Sequence, residues 1–246
     1  MTGLEMAAAY AIKPNILKRC GPEHAHKILF DFVTGKRVFN EKRIRELLSQ
    51  FQVAMPYYTL IARANSISDP FDNQVVEAYW IGNELLDQVT PEAVRQVIEQ
   101  DVKREGWDKK QIAIMFQAIA LKHAKPHHSL SVLYFFTRPG IKLDPTTFNT
   151  ISEQADQCRV CVGIIQGRDH LEVSYLPLIF GSDRIIKIGS LVEKEIEWGL
   201  LSMINPNLTF GSVVSFHHNW GIQILSLEQV ENLKKYTRMT LEAINP

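Results

Sequence analysis

The chain has 246 residues, of which 46% are hydrophobic, and its 27 Lys and Arg are balanced by 27 Asp and Glu. This zero formal charge argues against nucleic acid as a partner, because that binding depends on surplus basic residues. No apolar run reaches the length of about 18 residues that a membrane span needs. Three cysteines are too few for a disulfide scaffold, and the odd number favours a reducing, cytoplasmic location.

The first half of the chain, up to residue 125, has the apolar periodicity of α-helices. Capping signals divide it, because Asn40 and Thr90-Pro91 are typical helix starts and Gly35 and Gly106 are typical stops. We therefore predict an all-α domain at 1–125 whose helices pack on one another. Its helical segments are 23–35, 40–51, 56–65, 72–89, 90–106 and 108–124.

After Pro126 the period of the apolar residues changes to two, which is typical of strands. The predicted strands are rich in Val, Ile and aromatic residues, and a short helix over 144–157 interrupts them. The sequence thus predicts an α+β protein in which 126–246 form a small, strongly curved β-barrel, closed by a C-terminal helix over 227–244. The strand segments are 128–136, 159–167, 171–180, 184–191 and 212–225.

The three cysteines differ in their surroundings. Cys158 and Cys161 form a lone C-x-x-C that has no second pair for zinc and does not open a helix as a thioredoxin-type pair does. Cys161 is expected in the core of a strand, while Cys158 at the helix-to-strand junction can reach solvent. Cys20 precedes a helix beside Lys18 and Arg19, which would favour its thiolate, although an ordinary buried cysteine at a turn is the favoured interpretation.

Histidines cluster at two places. His123, His127 and His128 surround Pro126, where packing is the favoured role and a metal site the alternative. His217 and His218 are adjacent in an apolar segment that we predict as a strand. Neighbouring strand residues face opposite sides, so one of the two is expected to face the barrel interior or a cleft and the other to face outward.

Common enzyme signatures are absent from the sequence. It contains no nucleophile elbow, phosphate-binding loop, dinucleotide fingerprint or H-E-x-x-H zinc motif. A hydrolase with paired carboxylates is still an alternative, although no pair of Asp or Glu residues stands out from the other charged residues expected at the surface. These absences lower the expectation of a common hydrolase or nucleotide enzyme.

Two segments carry a resemblance. The sequence reads CRVCVGIIQGRDHLEV from Cys158 and GSVVSFHHNWGIQILSLEQV from Gly211. They resemble the HypC-type chaperones of nickel-iron hydrogenase maturation, in which a cysteine stands shortly before a glycine-led strand. A later strand of that family carries a histidine, an aromatic residue and an Ala-Ile-Gln stretch ahead of an acidic helix. Here Gly163 keeps the cysteine-to-glycine spacing, and His217 and Trp220 take the histidine and aromatic positions.

The resemblance covers residues 156–240 and implies an OB-like barrel. It implies that the protein binds a HypD-like partner and passes iron bearing cyanide and carbonyl ligands to the hydrogenase large-subunit precursor. Cys158 would be the thiolate ligand of the iron, and His217 its neighbour or second ligand. Thiolate and imidazole both suit iron. The accessory candidates are Cys20, Cys161 and His218. The whole chain is also similar to uncharacterised prokaryotic proteins sometimes found near hydrogenase genes.

Three hypotheses of function follow. The first is a hydrogenase maturation or assembly factor that is not an enzyme. The second is a metal-free protein–protein interaction module that serves as a scaffold associated with hydrogenase. It is the alternative because Cys158 is internal, whereas the family's cysteine lies near a free amino terminus. The third is an enzyme that uses Cys158 as nucleophile and His217 as base.

Overall fold

The computed structural model describes residues 1–136, 145–167, 171–180, 185–205 and 208–245. Within these ranges the protein is α+β, with helices through the amino-terminal part and a small antiparallel sheet followed by a long helix in the carboxy-terminal part. The α-helices are α1 Gly3–Ile16, α2 Ala25–Val33, α3 Glu41–Leu48, α4 Ala54–Ala64, α5 Asn73–Trp80, α6 Pro91–Arg104, α7 Lys109–Ala118, α8 His128–Phe136, α9 Pro145–Cys158, α10 Leu201–Ile204 and α11 Leu227–Ile244. The strands are β1 Cys161–Gly167, β2 Glu172–Tyr175, β3 Leu178–Phe180, β4 Ile186–Ile188, β5 Val192–Glu195, β6 Val213–His217 and β7 Trp220–Ile224.

The helix starts predicted at Asn40 and Thr90-Pro91 are confirmed, whereas the predicted segment 72–89 is divided into α5 and a short 3-10 helix at Glu84–Gln88. The Asn40 side chain accepts a hydrogen bond from the Lys42 amide at the start of α3, and Thr90 accepts one from Ala93 at the start of α6. Gly106 follows α6 with a φ of +83°, a left-handed conformation that most residues avoid. Local side-chain chemistry therefore sets these boundaries. Asp144 and Arg184, where two other predicted segments begin, lie outside the described residues.

Helix α1 was not predicted, although it lies at the centre of the fold. Thr2 and Glu5 form a capping box at its start, and most of its residues are buried. Tyr10 reaches across to the sheet, where its hydroxyl is 2.7 Å from that of Ser215. A helix that is apolar on every side has no amphipathic period, so the pattern that identifies the other helices is missing here.

The predicted strand at 128–136 is wrong, because these residues form helix α8. Leu130, Leu133 and Tyr134 are each fully buried, and α8 packs against α9 and α11. A short, continuous apolar run fits a buried helix and a buried strand equally well. Its β-branched and aromatic residues therefore did not decide its conformation.

The predicted β-barrel is corrected to an open sheet. The described strands form a five-stranded antiparallel sheet in the order β5-β2-β1-β6-β7 and a separate β3-β4 pair. The two edges of the larger sheet approach at one isolated bridge between Glu197 and Trp220. No continuous ladder joins β5 to β7 in the described part of the chain, so the sheet curves without closing.

One large hydrophobic core extends across the two predicted domains. It contains side chains from α1 through α7 together with others from α8, β7 and α11. A smaller core lies inside the curved sheet and includes Cys161, Val173 and Phe216. The predicted boundary between residues 125 and 126 stays a prediction. None of the described helices combines the length and apolar composition needed to cross a membrane.

Candidate functional site

A cavity of about 270 Å³ lies where the helices meet the sheet. Helices α1, α4, α5 and α8 supply most of its wall, and the carboxyl end of α9 and the β6–β7 hairpin complete it. Four residues singled out from the sequence line this cavity, namely Cys20, Cys158, His217 and His218. Cys161 does not line it, because its side chain is 1% exposed and belongs to the core inside the sheet.

The wall of the cavity is mostly apolar and aromatic. Ala7 and Ala11 of α1 leave space beside Trp80, whose indole stacks on the buried Tyr10 ring at a centroid distance of 4.8 Å. The Trp80 indole nitrogen donates a hydrogen bond of 2.5 Å to the Tyr58 hydroxyl. This bond holds the ring in place at the cavity wall.

The β6–β7 hairpin brings His217 and His218 to the cavity. The predicted continuous strand is broken here by a two-residue turn at His218 and Asn219, with φ values of +52° and +57°. Such turns favour glycine because both residues need a left-handed backbone. The expected alternation is therefore wrong: both histidines are buried, and both line the same cavity.

Cys158 and His217 meet through the backbone. His217 Nε2 donates a hydrogen bond of 2.8 Å to the carbonyl oxygen of Cys158, and the His218 amide donates one to the carbonyl of Gln157. The last carbonyls of a helix have no partner within it. The hairpin thus caps the carboxyl end of α9, and the imidazole of His217 bonds the main chain of Cys158.

Three imidazoles lie in a row beside the cavity. The ring of His217 is 4.9 Å from that of His128 and 4.5 Å from that of His218, measured between centroids. Burial lowers the pKa of His217 to about 4 and lowers the pKa of His128 and of His218 as well. The row is therefore neutral at pH 7 and adds polar atoms to the cavity without adding charge.

The two thiols at the cavity are protonated. Burial, together with a smaller effect of the nearby Cys158, raises the pKa of Cys20 to about 12. These surroundings fit an ordinary buried cysteine at Cys20 rather than a thiolate stabilised by Lys18 and Arg19. Burial also raises the pKa of Cys158, although the neighbouring guanidinium of Arg19 opposes this change. Neither thiol is activated as a nucleophile.

The residues around the cavity do not fit a resident iron centre. In the parts of the chain that the structure describes, no three His, Cys, Asp or Glu side chains are grouped to hold a metal. His217 Nδ1 is 3.4 Å from the carbonyl oxygen of Tyr10, so both of its ring nitrogens face carbonyls.

Sequence reasoning missed three residues of this site. Trp80 lies in the predicted helix 72–89 and was expected only to pack on other helices. His128 was expected to pack at a helix break, with a metal site as the alternative, and Arg19 was named only as a neighbour of Cys20. The sequence around His128 gives no local signal that it belongs to a site, because its distance from the other imidazoles depends on how α5, α8 and the hairpin pack. Only Arg19, beside Cys20 in the sequence, could have been assigned to the same site.

The comparisons with known proteins give one match. A model described as a family of unknown function, DUF6390, matches residues 1–246. No curated protein and no solved structure matches the chain.

Proposed function

Because the chain belongs to DUF6390, a family of unknown function, we infer its role from the cavity and propose that it binds a small organic molecule there. The observation that carries this proposal is a mostly apolar cavity of about 270 Å³ at which the Trp80 ring, three neutral imidazoles and two thiols converge. Protein interiors are normally close-packed, and a mostly apolar cavity with a few convergent polar groups is the usual form of a ligand site.

The volume of the cavity limits the size of the ligand. An apolar cavity of about 150 Å³ is sufficient for benzene. A volume of about 270 Å³ therefore accommodates one aromatic ring with a short substituent and is too small for a dinucleotide. The flat rings of Trp80 and His128, 4.4 Å apart, favour an aromatic body over a branched aliphatic one.

The backbone at His218 and Asn219 adds support. A non-glycine residue in the left-handed region costs about 1 kcal/mol or more, and such strain concentrates at functional sites. Here the strained turn keeps His218 at the cavity wall. A structural hairpin with no ligand to contact would be more stable with glycine at the second position of the turn.

Binding of a neutral aromatic probe tests the proposal. We expect 4-fluorotoluene to bind saturably, as measured by fluorine NMR line broadening, because its ring fits the cavity. Ala11→Leu fills the space beside Trp80 and should weaken binding at least about tenfold, whereas Ala113→Leu on the exposed face of α7 should not. Circular dichroism would confirm that both variants fold. Absence of saturable binding to the wild-type protein would reject the proposal.

A second candidate function is the hydrogenase assembly factor implied by the HypC-type resemblance. The observation that favours it is the Cys158 thiol, which lines an accessible cavity together with Cys20. A cargo iron that is received and passed on needs a labile attachment rather than a closed ligand cage. Its partners would be a HypD-like protein and the large-subunit precursor.

Iron loading separates this candidate from ligand binding. Protein incubated anaerobically with a loaded HypD-like partner should gain the infrared bands of iron-bound cyanide and carbonyl. Cys158→Ala should lose these bands, and Cys161→Ala should keep them because Cys161 lies away from the cavity. Bands that survive Cys158→Ala would exclude this thiol as the ligand, and complex formation without bands would leave the metal-free interaction module.

The third hypothesis, a Cys–His enzyme, has less support. It needs an imidazole within hydrogen-bond reach of the Cys158 thiol, and His217 Nε2 instead bonds the Cys158 carbonyl. The raised pKa of Cys158 also keeps its thiol protonated at pH 7.

A further inference from the structure

The cavity has a single formal charge on its wall. Among the described residues that line it, Arg19 alone has an ionised side chain at pH 7, since the three imidazoles and two thiols are neutral. Arg19 is exposed and stands at the rim, whereas Trp80 and His128 lie deep in the wall. The cavity is therefore positive at its opening and uncharged inside.

Arg19 is directed towards the cavity. Its guanidinium is close enough to influence both Cys158 and His218. It opposes the rise that burial causes in the pKa of Cys158, and it adds to the fall that burial causes in the pKa of His218. Its own amide is held by the carbonyl of Pro14 at 2.9 Å, which fixes the main chain at the end of α1. Across the described part of the chain, the guanidinium makes no hydrogen bond or ion pair with a protein group.

Resting on the ligand-binding function proposed above, we infer that the ligand is a small aromatic monocarboxylic acid, bound with its carboxylate on Arg19 and its ring beside Trp80. A guanidinium presents two parallel donors that match the two oxygens of a carboxylate. A phosphate monoester would bring about two negative charges to one cation. The uncharged interior accepts the apolar body but no second ionised group, because burying an unpaired charge is costly.

A matched pair of probes tests this inference. The probes are 3-(4-fluorophenyl)propanoate and its primary amide, which has nearly the same shape but no charge. The wild-type protein should bind the acid about fivefold more tightly than the amide at low salt, and the difference should shrink as salt screens the rim. Arg19→Gln should abolish this preference, and Lys18→Gln, the neighbouring exposed cation, should retain it.

Each outcome of this experiment is decisive. Equal binding of acid and amide by the wild-type protein, or a preference that survives Arg19→Gln, would overturn the monocarboxylate inference and leave the proposed binding function intact. Binding of neither probe, together with no binding of 4-fluorotoluene, would overturn both.

Discussion

Four histidine side chains are buried as neutral imidazoles, and this sets how the protein responds to pH. Burial lowers the pKa of His217 to about 4 and that of His127 to about 3, and it lowers the pKa of His128 and His218 too. In the unfolded chain these groups have a pKa of about 6.5. Below that pH the unfolded state therefore binds more protons than the folded state.

The free energy of unfolding should fall as the pH is lowered from 7 to 4. Each buried histidine contributes a slope of about 1.4 kcal/mol per pH unit between its unfolded and folded pKa values. His127→Asn should reduce the total slope by one such contribution, because an Asn side chain does not titrate. The variant should keep its fold, because the amide oxygen of Asn can replace Nδ1 as acceptor for the Ser129 amide. Urea unfolding at several pH values measures this. The exposed His24→Asn variant is the control, and a flat profile would contradict the expectation.

At the scale of elements, the β6–β7 hairpin illustrates how a local preference is overridden. Its turn uses His218 and Asn219 where Asn-Gly is favoured, and the buried Oδ1 atom of Asn219 has no hydrogen-bond partner among the described residues. The hairpin persists because its turn packs on the carboxyl end of α9, where His217 and the His218 amide satisfy free carbonyls. Tertiary contacts thus offset the strain of the turn.

Asn219→Gly should stabilise the protein by about 0.5–1 kcal/mol, because glycine adopts the left-handed conformation without steric cost. The midpoint of thermal unfolding reports the change. Asn219→Ala is the matched control: it removes the same amide but cannot relieve the backbone, so it should give no such gain. Equal stabilisation by both variants would show that the buried amide, rather than the backbone, is the source of strain.

At the scale of the whole molecule, side chains from both halves of the sequence share one core. Tyr236 of α11 donates a hydrogen bond of 2.8 Å to the carbonyl of Asn83, and its ring lies so close to Gly82 that a Cβ there would overlap it. The amide of Ala120 donates to the carbonyl of Ala243 at 2.7 Å. The helical half is therefore completed by the last helix of the chain.

Unfolding of the full chain should be a single cooperative transition. Because the two halves share a core, urea curves followed by tryptophan fluorescence and by far-ultraviolet circular dichroism should coincide. Gly82→Ala should shift both curves equally to lower urea, since it disturbs the contact with Tyr236. Gly35→Ala, where a Cβ would meet nothing, is a control for the cost of replacing a left-handed glycine. Two separated transitions would instead favour independent domains at 1–125 and 126–246.

The sequence by itself determined the elements whose signals are local. The cap at Asn40, the Thr90-Pro91 start and the Gly106 stop act within one helical turn. Period-two alternation marked β1, β2, β6 and β7 of the larger sheet but not β5. Tertiary structure alone decided the rest. Most described side chains of α1 and α8 are buried, so burial rather than periodicity selects the conformation of these helices.

In the candidate site, too, some features could be predicted from the sequence and others depend on the tertiary structure. Cys158 and His217 were paired through the HypC-type resemblance, and both line one cavity in the structure. Other features depend on packing between segments that are far apart in the sequence. They are the bond from His217 to a carbonyl instead of a thiol, the open sheet, and the positions of Trp80, His128 and Arg19 at the cavity. Such distances are set by how whole elements fit together, and no local pattern of residues encodes them.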